Sequence, residues 1–370
     1  MALGRLAGLA GSILKYEEDV VAAPRRDSSL ALGIQRIEPV DLQDPLVLGS
    51  LEQARRAMSN PRLQEILAVR TTIQHYLCGE LIDRGYVHPP VYMLAGCTDP
   101  LNHWTYPARV NYYGEEVSVT QSLILQKILM VMLSGVRQVF WASPNIRMEM
   151  RIGRKEYKYT SEFMQVDFEK RDGTYEEMLQ LISDLVRGLY RRLAETHADT
   201  IQRFRGSALP ALTDPLAVID VQDAKRRENL EDDDAVERWA GSRSQGRPFI
   251  LSNLTREAYD CFEPDQGRFL NYDVVLPPAG ENPHPIECLS GAERTRSIED
   301  LERRMMDLNY PMAYFAPFFE LFSSLDGNGG KIACAGAGFG VERLTYAILG
   351  LKDIHEVYPF PRMAEGRIAI

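Results

Sequence analysis

The sequence predicts an α+β domain, a mixed sheet with helices laid against it. Three observations carry that expectation. Strand-like segments come in runs and do not alternate regularly with helices. Two of them, within 143–149 and 161–169, alternate polar and apolar residues as half-buried strands do. The chain nears its end with a strand, a run of glycines and a helix, KIACAGAGFGVERLTYAILG.

Residues 1–50 carry little periodicity and read as an N-terminal extension ahead of a single domain over 51–370. From Leu51 to Asp83 helical spacing dominates, and Gly85 stops it. VHPPVYML reads as a strand, its start kept from a sheet centre by Pro89 and Pro90. Ser122 to Ser134 is a helix apolar nearly all round, closed by Gly135. RQVFWASPNIRME and YTSEFMQVDFE are strands joined by a basic loop. Thr174 and Glu177 form a capping box before a helix whose apolar stripe is Met178, Leu181, Ile182, Leu185, Leu189 and Leu193. Residues 205–247 are polar, a surface excursion in which KRRENLEDDDAVER is a solvated face. FLNYDVVLP and PIECLSGAE are strands, and Ile298 to Leu308 is a helix.

At 370 residues the chain can bury a sizeable core. It has 42 basic and 52 acidic residues, a formal charge of −10. Such a chain gains nothing from phosphate backbones or anionic lipids, which argues against nucleic acid or membrane as partner. Five scattered cysteines without a CxxC pair fit reduced thiols in the cytosol. The apolar run from Leu123 to Leu133 is broken by Gln126 and Lys127 and is too short to span a bilayer. MALGRLAGLAGSIL mimics a signal peptide, but Lys15 and Glu17 follow without a small-residue cleavage site, so a cytoplasmic protein is expected.

Four segments hold candidate chemistry. In SEFMQVDFE, Phe163, Gln165, Asp167 and Glu169 share one strand face, while Met164, Val166 and Phe168 bury on the other. The preceding strand places Asn145, Arg147 and Glu149 likewise. A hairpin with that polar face suits a charged ligand carrying a flat ring: Arg147 grips a phosphate and Phe163 stacks on a base. The loop residues Arg151, Arg154, Lys155 and Lys158 would meet a polyphosphate tail, or form a solvated turn. Lys127 stands among apolar neighbours. It either snorkels or offers a fixed charge to a carboxylate, with Ser122 as a second donor. Glu287 and Ser290 are oxygen donors suited to Mg²⁺, although regular alternation puts them on opposite faces. Arg294 presents a forked donor. In CAGAGFGVER the glycines run GxGxG, and Val341 breaks a dinucleotide fingerprint. Alternate glycines admit close backbone approach, and Arg343 suits an adenine face.

Together and in this order, these motifs resemble the class II aminoacyl-tRNA synthetase catalytic core in its aspartate/asparagine branch. Arg147-Met-Glu149 with Glu162-Phe163 resembles the second signature motif, GAGFGVER the third and GYVHPP the first. LKDIHEVYPFPR is similar to the branch's ending. TDPLNH, TQSLILQK, SPNIRME, EFMQVDFE, NYDVVLP and SGAER resemble the asparagine synthetase A-related proteins more closely still. The resemblance implies a six- to seven-stranded antiparallel sheet flanked by helices, a homodimer, and ATP with Mg²⁺. It also implies AMP-forming amidation of the side-chain carboxylate of aspartate, or a close analogue, by ammonia or another amine.

By the same resemblance Arg147 would hold the α-phosphate and Glu149 the adenine end of ATP, with Phe163 and Arg343 sandwiching the base. Lys158 would join the nucleotide contacts, and Glu287 and Ser290 would ligate Mg²⁺. Arg294 and Lys127 would bind the side-chain carboxylate of aspartate or its equivalent. Asp167, Gln165 and Ser122 would complete the amino-acid pocket, and Asp99 would face an amino group or ammonia. Asp99 or Asp167 would take the proton that ammonia sheds.

Departures from the branch stand at Lys158-Tyr159, where it commonly has histidine with arginine before it. Ile124 stands where aspartyl enzymes have glutamine, Ala292 replaces a usual glycine, and Cys334 replaces a frequent histidine. Only about 50–60 residues precede the core, against the order of 100 that an anticodon-binding barrel needs, so tRNA-independent chemistry is expected. The same chemistry on another acid or amine, a metabolite-binding regulator, and tRNA charging remain the alternatives.

Overall fold

The computed structural model describes residues 41–99, 101, 105–112, 115–149, 157–256, 258–325, 327 and 329–360. The chain divides into two units, Met1–Leu48 and Gly49–Ile370. Residues 1–40 of the expected extension, Arg151, Arg154 and Lys155 of the basic loop, Asn102 and His103 of TDPLNH, and Pro361-Arg362 of the expected ending lie outside the described residues.

Seven strands build the main sheet. They are β1 (Gln138–Ile146), β2 (Glu162–Arg171), β3 (Ala217–Asp220), β4 (Phe249–Ser252), β5 (Asn271–Leu276), β6 (Ile286–Glu293) and β7 (Cys334–Gly340), in spatial order β1-β2-β7-β6-β5-β4-β3. Every neighbouring pair is antiparallel except β3 with β4. The seven helices used below are α1 (Leu63–Asp83), α2 (Ile124–Leu133), α3 (Tyr175–Thr196), α4 (Asp233–Arg243), α5 (Ile298–Asp307), α6 (Met312–Leu325) and α7 (Val341–Leu349).

Strand alternation sorts the sheet's side chains between two cores. Phe140, Val166 and Phe168 join a cluster with Ile66, Ile73 and Leu77 of α1, Ile182, Leu185 and Leu189 of α3, and Leu344 and Ile348 of α7. Val139 and Trp141, one step to either side of Phe140, join Leu125, Ile128 and Val131 of α2 with Leu301 of α5 and Phe315 and Phe322 of α6. Burying a large aliphatic or aromatic side chain contributes about 1.5–3 kcal/mol, so this partition fixes the strand register. The face of β2 that turns from the first core therefore points Gln165, Asp167 and Glu169 toward α2.

Several expectations change on contact with the fold. The helical stretch from Leu51 breaks at Asn60–Arg62 around Pro61, giving Pro45–Ser59 and α1. VHPPVYML is not a strand. Val87 makes one parallel bridge to Val139 of β1, and the two prolines that follow lack the donors a ladder needs. The RQVFWASPNIRME strand ends at Ile146. Met148–Glu149 pairs instead with Thr105–Tyr106. Only half of the capping box forms: Thr174 accepts from Glu177 N, while the Glu177 carboxylate meets Lys170. The 205–247 excursion is more than surface. Its β3 extends the sheet, and Val221, Ala224, Val236 and Ala240 form a third small core with Phe249 and Leu251.

Candidate active site

One cavity of about 350 Å³, within the range of small-molecule sites, opens on the face of the sheet that carries Gln165 and Asp167. The thirteen residues to which the resemblance gives a role all line it: Asp99, Ser122, Lys127, Arg147, Glu149, Lys158, Phe163, Gln165, Asp167, Glu287, Ser290, Arg294 and Arg343. The three arginines come from the residue just after β6, from the link between β1 and the next short strand, and from the first turn of α7.

The glycines of β7 make the cavity floor possible. A Cβ on Gly338 would lie 2.1 Å from Gln165 Nε2, and one on Gly336 2.1 Å from the Phe168 carbonyl oxygen. Behind that floor Glu342 is buried. It accepts from Arg70 Nη2 at 2.6 Å and Nε at 2.9 Å, and from Met164 N at 2.8 Å, which ties α7 to α1 and to the strand that bears Phe163.

At one end Lys127 does not snorkel. Its Nζ lies 2.5 Å from Asp167 Oδ1 and 3.3 Å from Glu169 Oε2, with the lysine 3% exposed. Arg294 donates Nε and Nη2 to the two oxygens of Glu169 at 2.9 and 2.8 Å. The side-on fork to Glu169 leaves the end of the guanidinium, with both Nη1 hydrogens and one on Nη2, for a ligand carboxylate. Burial pushes the Asp167 carboxyl above the ordinary carboxylate range despite Lys127. Burial acts on Glu169 too, but Arg294 and Lys127 overcome it and hold that carboxyl low. Ser122 Oγ accepts from Ile124 N at 3.3 Å, bracing the entry of α2. Burial also raises Asp99, which accepts from Leu101 N at 3.0 Å.

At the other end the cations rest on rings. Arg147 Cζ is 5.0 Å from the Phe163 centroid, and its Nε donates to Gln121 O at 3.1 Å. Arg343 Cζ is 5.2 Å from the Tyr159 centroid, and its Nη1 is 3.3 Å from Glu287 Oε1. Phe163 and Arg343, expected to sandwich a base, both line the cavity, and Arg343 lies over Tyr159, one of the departures noted above. Two guanidinium groups in one cavity favour an anionic ligand.

Glu287 and Ser290 share the cavity wall because the strand is irregular. Val274 pairs Leu289 but Val275 pairs Glu287, so Cys288 is an extra residue. Such a bulge shifts the alternation by one and brings both side chains to the same side. Single-sequence spacing carries no sign of it.

Further lining residues were not picked from the sequence. Arg256, in the link after β4, donates Nη1 to Asp273 Oδ1 at 2.9 Å and to Ser290 Oγ, and Nη2 to Gly291 O at 3.3 Å. Asp273 sits opposite Ser290 in the β5–β6 ladder. Its carboxyl is pushed up to about 7 by burial, with the Glu287 charge adding to the rise and Arg256 opposing it. Tyr259 also lines the cavity, and burial together with the Asp99 charge raises its hydroxyl well above the usual range. Beyond the lining, α4 of the supposed excursion carries Glu237, whose carboxyl burial raises to about 7. No motif marks Arg256, Tyr259 or Glu237; Asp273 sits within a segment already singled out, NYDVVLP.

Asp273, Glu287 and Ser290 are oxygen donors, the kind a hard divalent cation takes. Among the described residues, no three acidic, histidine or cysteine side chains gather closely enough to hold a metal ion. Such a set fits Mg²⁺ that brings phosphate ligands with it, the usual mode for that ion, and not an all-protein cage.

Comparisons with known proteins agree with this architecture. Residues 50–364 match the family described as tRNA synthetases class II (D, K and N). An asparagine–tRNA ligase of Pelotomaculum thermopropionicum is 25% identical over 389 aligned residues, covering 97% of this chain and 86% of the relative. One from Thermoplasma acidophilum is 22% identical over 268 residues, covering 69% of this chain and 59% of the relative. An aspartate–tRNA(Asp/Asn) ligase of Methanospirillum hungatei is 24% identical, covering 82% and 69%. The chain thus spans less than two-thirds of some relatives' length. In structure it is similar to asparaginyl-tRNA synthetase from Pyrococcus horikoshii complexed with asparaginyl-adenylate, with a TM-score of 0.71 at 19% identity over 83% of this chain and 70% of that one. The Entamoeba histolytica enzyme in the same kind of complex gives 0.68 at 18% identity, over 85% and 71%. The chain belongs to the class II tRNA synthetases (D, K and N), a family of ATP-dependent ligases that work through acyl-adenylates.

Proposed function

We propose that this class II synthetase-family ligase activates the side-chain carboxylate of aspartate, or a close analogue, with ATP and passes the acyl group to ammonia without tRNA. The observation that carries it is the meeting of Arg147, Arg343 and Arg294 in one cavity with Phe163 and Asp167. The first two suit a nucleotide and the third a carboxylate beside it. The chain's charge of −10 favours small substrates over RNA.

The carboxylate oxygen attacks the α-phosphorus of ATP. The bond to the bridging oxygen breaks, pyrophosphate leaves, and an acyl-adenylate remains. Arg147 steadies the α-phosphate and Arg343 the nucleotide, in a step that needs positioning and charge more than covalent help. Mg²⁺, bound with ATP beside Glu287 and Ser290, supplies further neutralisation of phosphate charge. Ammonia then attacks the acyl carbon, AMP leaves, and the surplus proton passes to a carboxylate. Asp167 is already committed to Lys127. Asp99, raised by burial and not tied to a lysine, is the better placed base. A homodimer and a cytosolic location go with this assignment. Among the described residues, no helix is long and apolar enough to cross a membrane.

Pyrophosphate exchange, screened acid by acid, tests it. Exchange with aspartate, then amide and AMP on adding ammonium without RNA, is the expected result. Exchange or acylation that requires tRNA would overturn it. A second assignment, the same chemistry on another acid, is favoured by Ile124, which lines the cavity. A better acid than aspartate in the same screen would select it.

A further inference from the structure

Arg256 stands where an ATP-linked cation would be sought. Its guanidinium spans the ladder pair Asp273 and Ser290 and reaches the Gly291 carbonyl. Asp260 Oδ2 lies 3.1 Å from Nε, but off the line of the N–H, and among the described residues that donor finds no hydrogen-bond acceptor. Glu287, the remaining oxygen donor, is drawn to Arg343 at 3.3 Å. Two of the three oxygen side chains suited to a divalent ion are therefore spent on one fixed positive charge. A dication placed beside that guanidinium would meet like charge in a poorly screened site.

We propose that Arg256 is the resident counter-cation of Asp273 and Ser290, so that a divalent ion enters only together with ATP. A triphosphate gives the guanidinium a bidentate partner of higher charge in place of the Asp273 carboxylate, the Ser290 hydroxyl and the Gly291 carbonyl. The unsatisfied Nε leaves Arg256 less firmly held than a fully bonded arginine. Once the phosphates draw it off, Ser290 and Asp273 become open to the metal, which completes its shell with phosphate oxygens and water. The inference rests on the cavity binding ATP and is independent of which acid or amine is used.

The test is Mn²⁺ binding to the full chain, read from the EPR signal of free Mn²⁺, with and without α,β-methylene-ATP. Without nucleotide, the wild type is expected to take up Mn²⁺ at least tenfold more weakly than Arg256→Gln, about 1.4 kcal/mol. Adding Asp273→Asn to that variant should abolish the gain. Arg256→Lys, which keeps the charge, should stay near the wild type and guards against a folding artefact in the glutamine variant. With the ATP analogue, the wild type should bind Mn²⁺ tightly. Equal nucleotide-free affinity in wild type and Arg256→Gln, or a gain that survives Asp273→Asn, would overturn the proposal. Pyrophosphate exchange on the same samples reports separately, so failure of the amide-ligase assignment leaves this result readable.

Discussion

Lys127 and Arg294 share Glu169 between them on the rigid centre of the sheet, almost wholly out of water. Arg147 and Arg343, at the other end of the same cavity, lean on Phe163 and Tyr159 through longer, softer contacts. The first pair has its charges matched inside the protein before any ligand arrives. The second is matched only in part, by Glu287 at 3.3 Å from Arg343, and has charge left to offer. Removing a side chain should therefore read out as lost stability at the Lys127 end and as lost ligand affinity at the Arg343 end.

The largest effect should follow Glu169→Ala. It strands Arg294 in the interior and leaves Lys127 with Asp167 alone, and breaking a buried pair costs about 3–5 kcal/mol. Urea unfolding measures it, and a loss under about 1 kcal/mol would erase the distinction between the ends. Arg343→Ala should instead weaken binding of an ATP analogue by about ten- to a hundredfold, the worth of about 1.5–3 kcal/mol of charged hydrogen bonding, while Tm falls less than in Glu169→Ala. Isothermal titration calorimetry decides it: unchanged affinity removes Arg343 from the nucleotide contacts. Gly336→Ala sharpens the comparison from the backbone side. Its Cβ meets the Phe168 carbonyl, and overpacking of that kind costs about 1–3 kcal/mol, so Tm should drop at any ligand concentration.

The last effect is pH-dependent. Glu237 titrates near 7 in the folded chain against an ordinary value of 4.5, because burial disfavours its charge. The favourable neutral form is kept at low pH and lost as pH rises from about 4.5 to 7. Glu237→Gln should therefore gain stability over the wild type between pH 5 and pH 8 and differ little below pH 5. Parallel thermal melts check this, and a difference that stays flat with pH would reject it.

Much of the site can be read along single strands. Period-two alternation placed Phe163, Gln165 and Asp167 together, and the glycines of β7 announced a close approach that proves to be the neighbouring strand and Gln165. Lys127 among apolar residues announced a buried charge, though not its partners. The bulge at Cys288 could not be read, because it exists only in the pairing of β6 with β5. Glu237 was hidden in a charged run that composition assigns to solvent. VHPPVYML shows the opposite failure: apolar content suggested a strand that two prolines deny.

What the chain determines by itself is local: which face of a strand is apolar, where a helix stripe lies, where glycine lets backbones meet, and the ordered motifs of its family. What the tertiary structure alone decides is which charges neutralise one another. Arg294 and Glu169 are 125 residues apart, and Arg256 reaches Ser290 across 34. Ion pairing in a poorly solvated interior falls steeply with distance and with screening, and those distances are set by sheet register and helix packing, not by spacing along the chain.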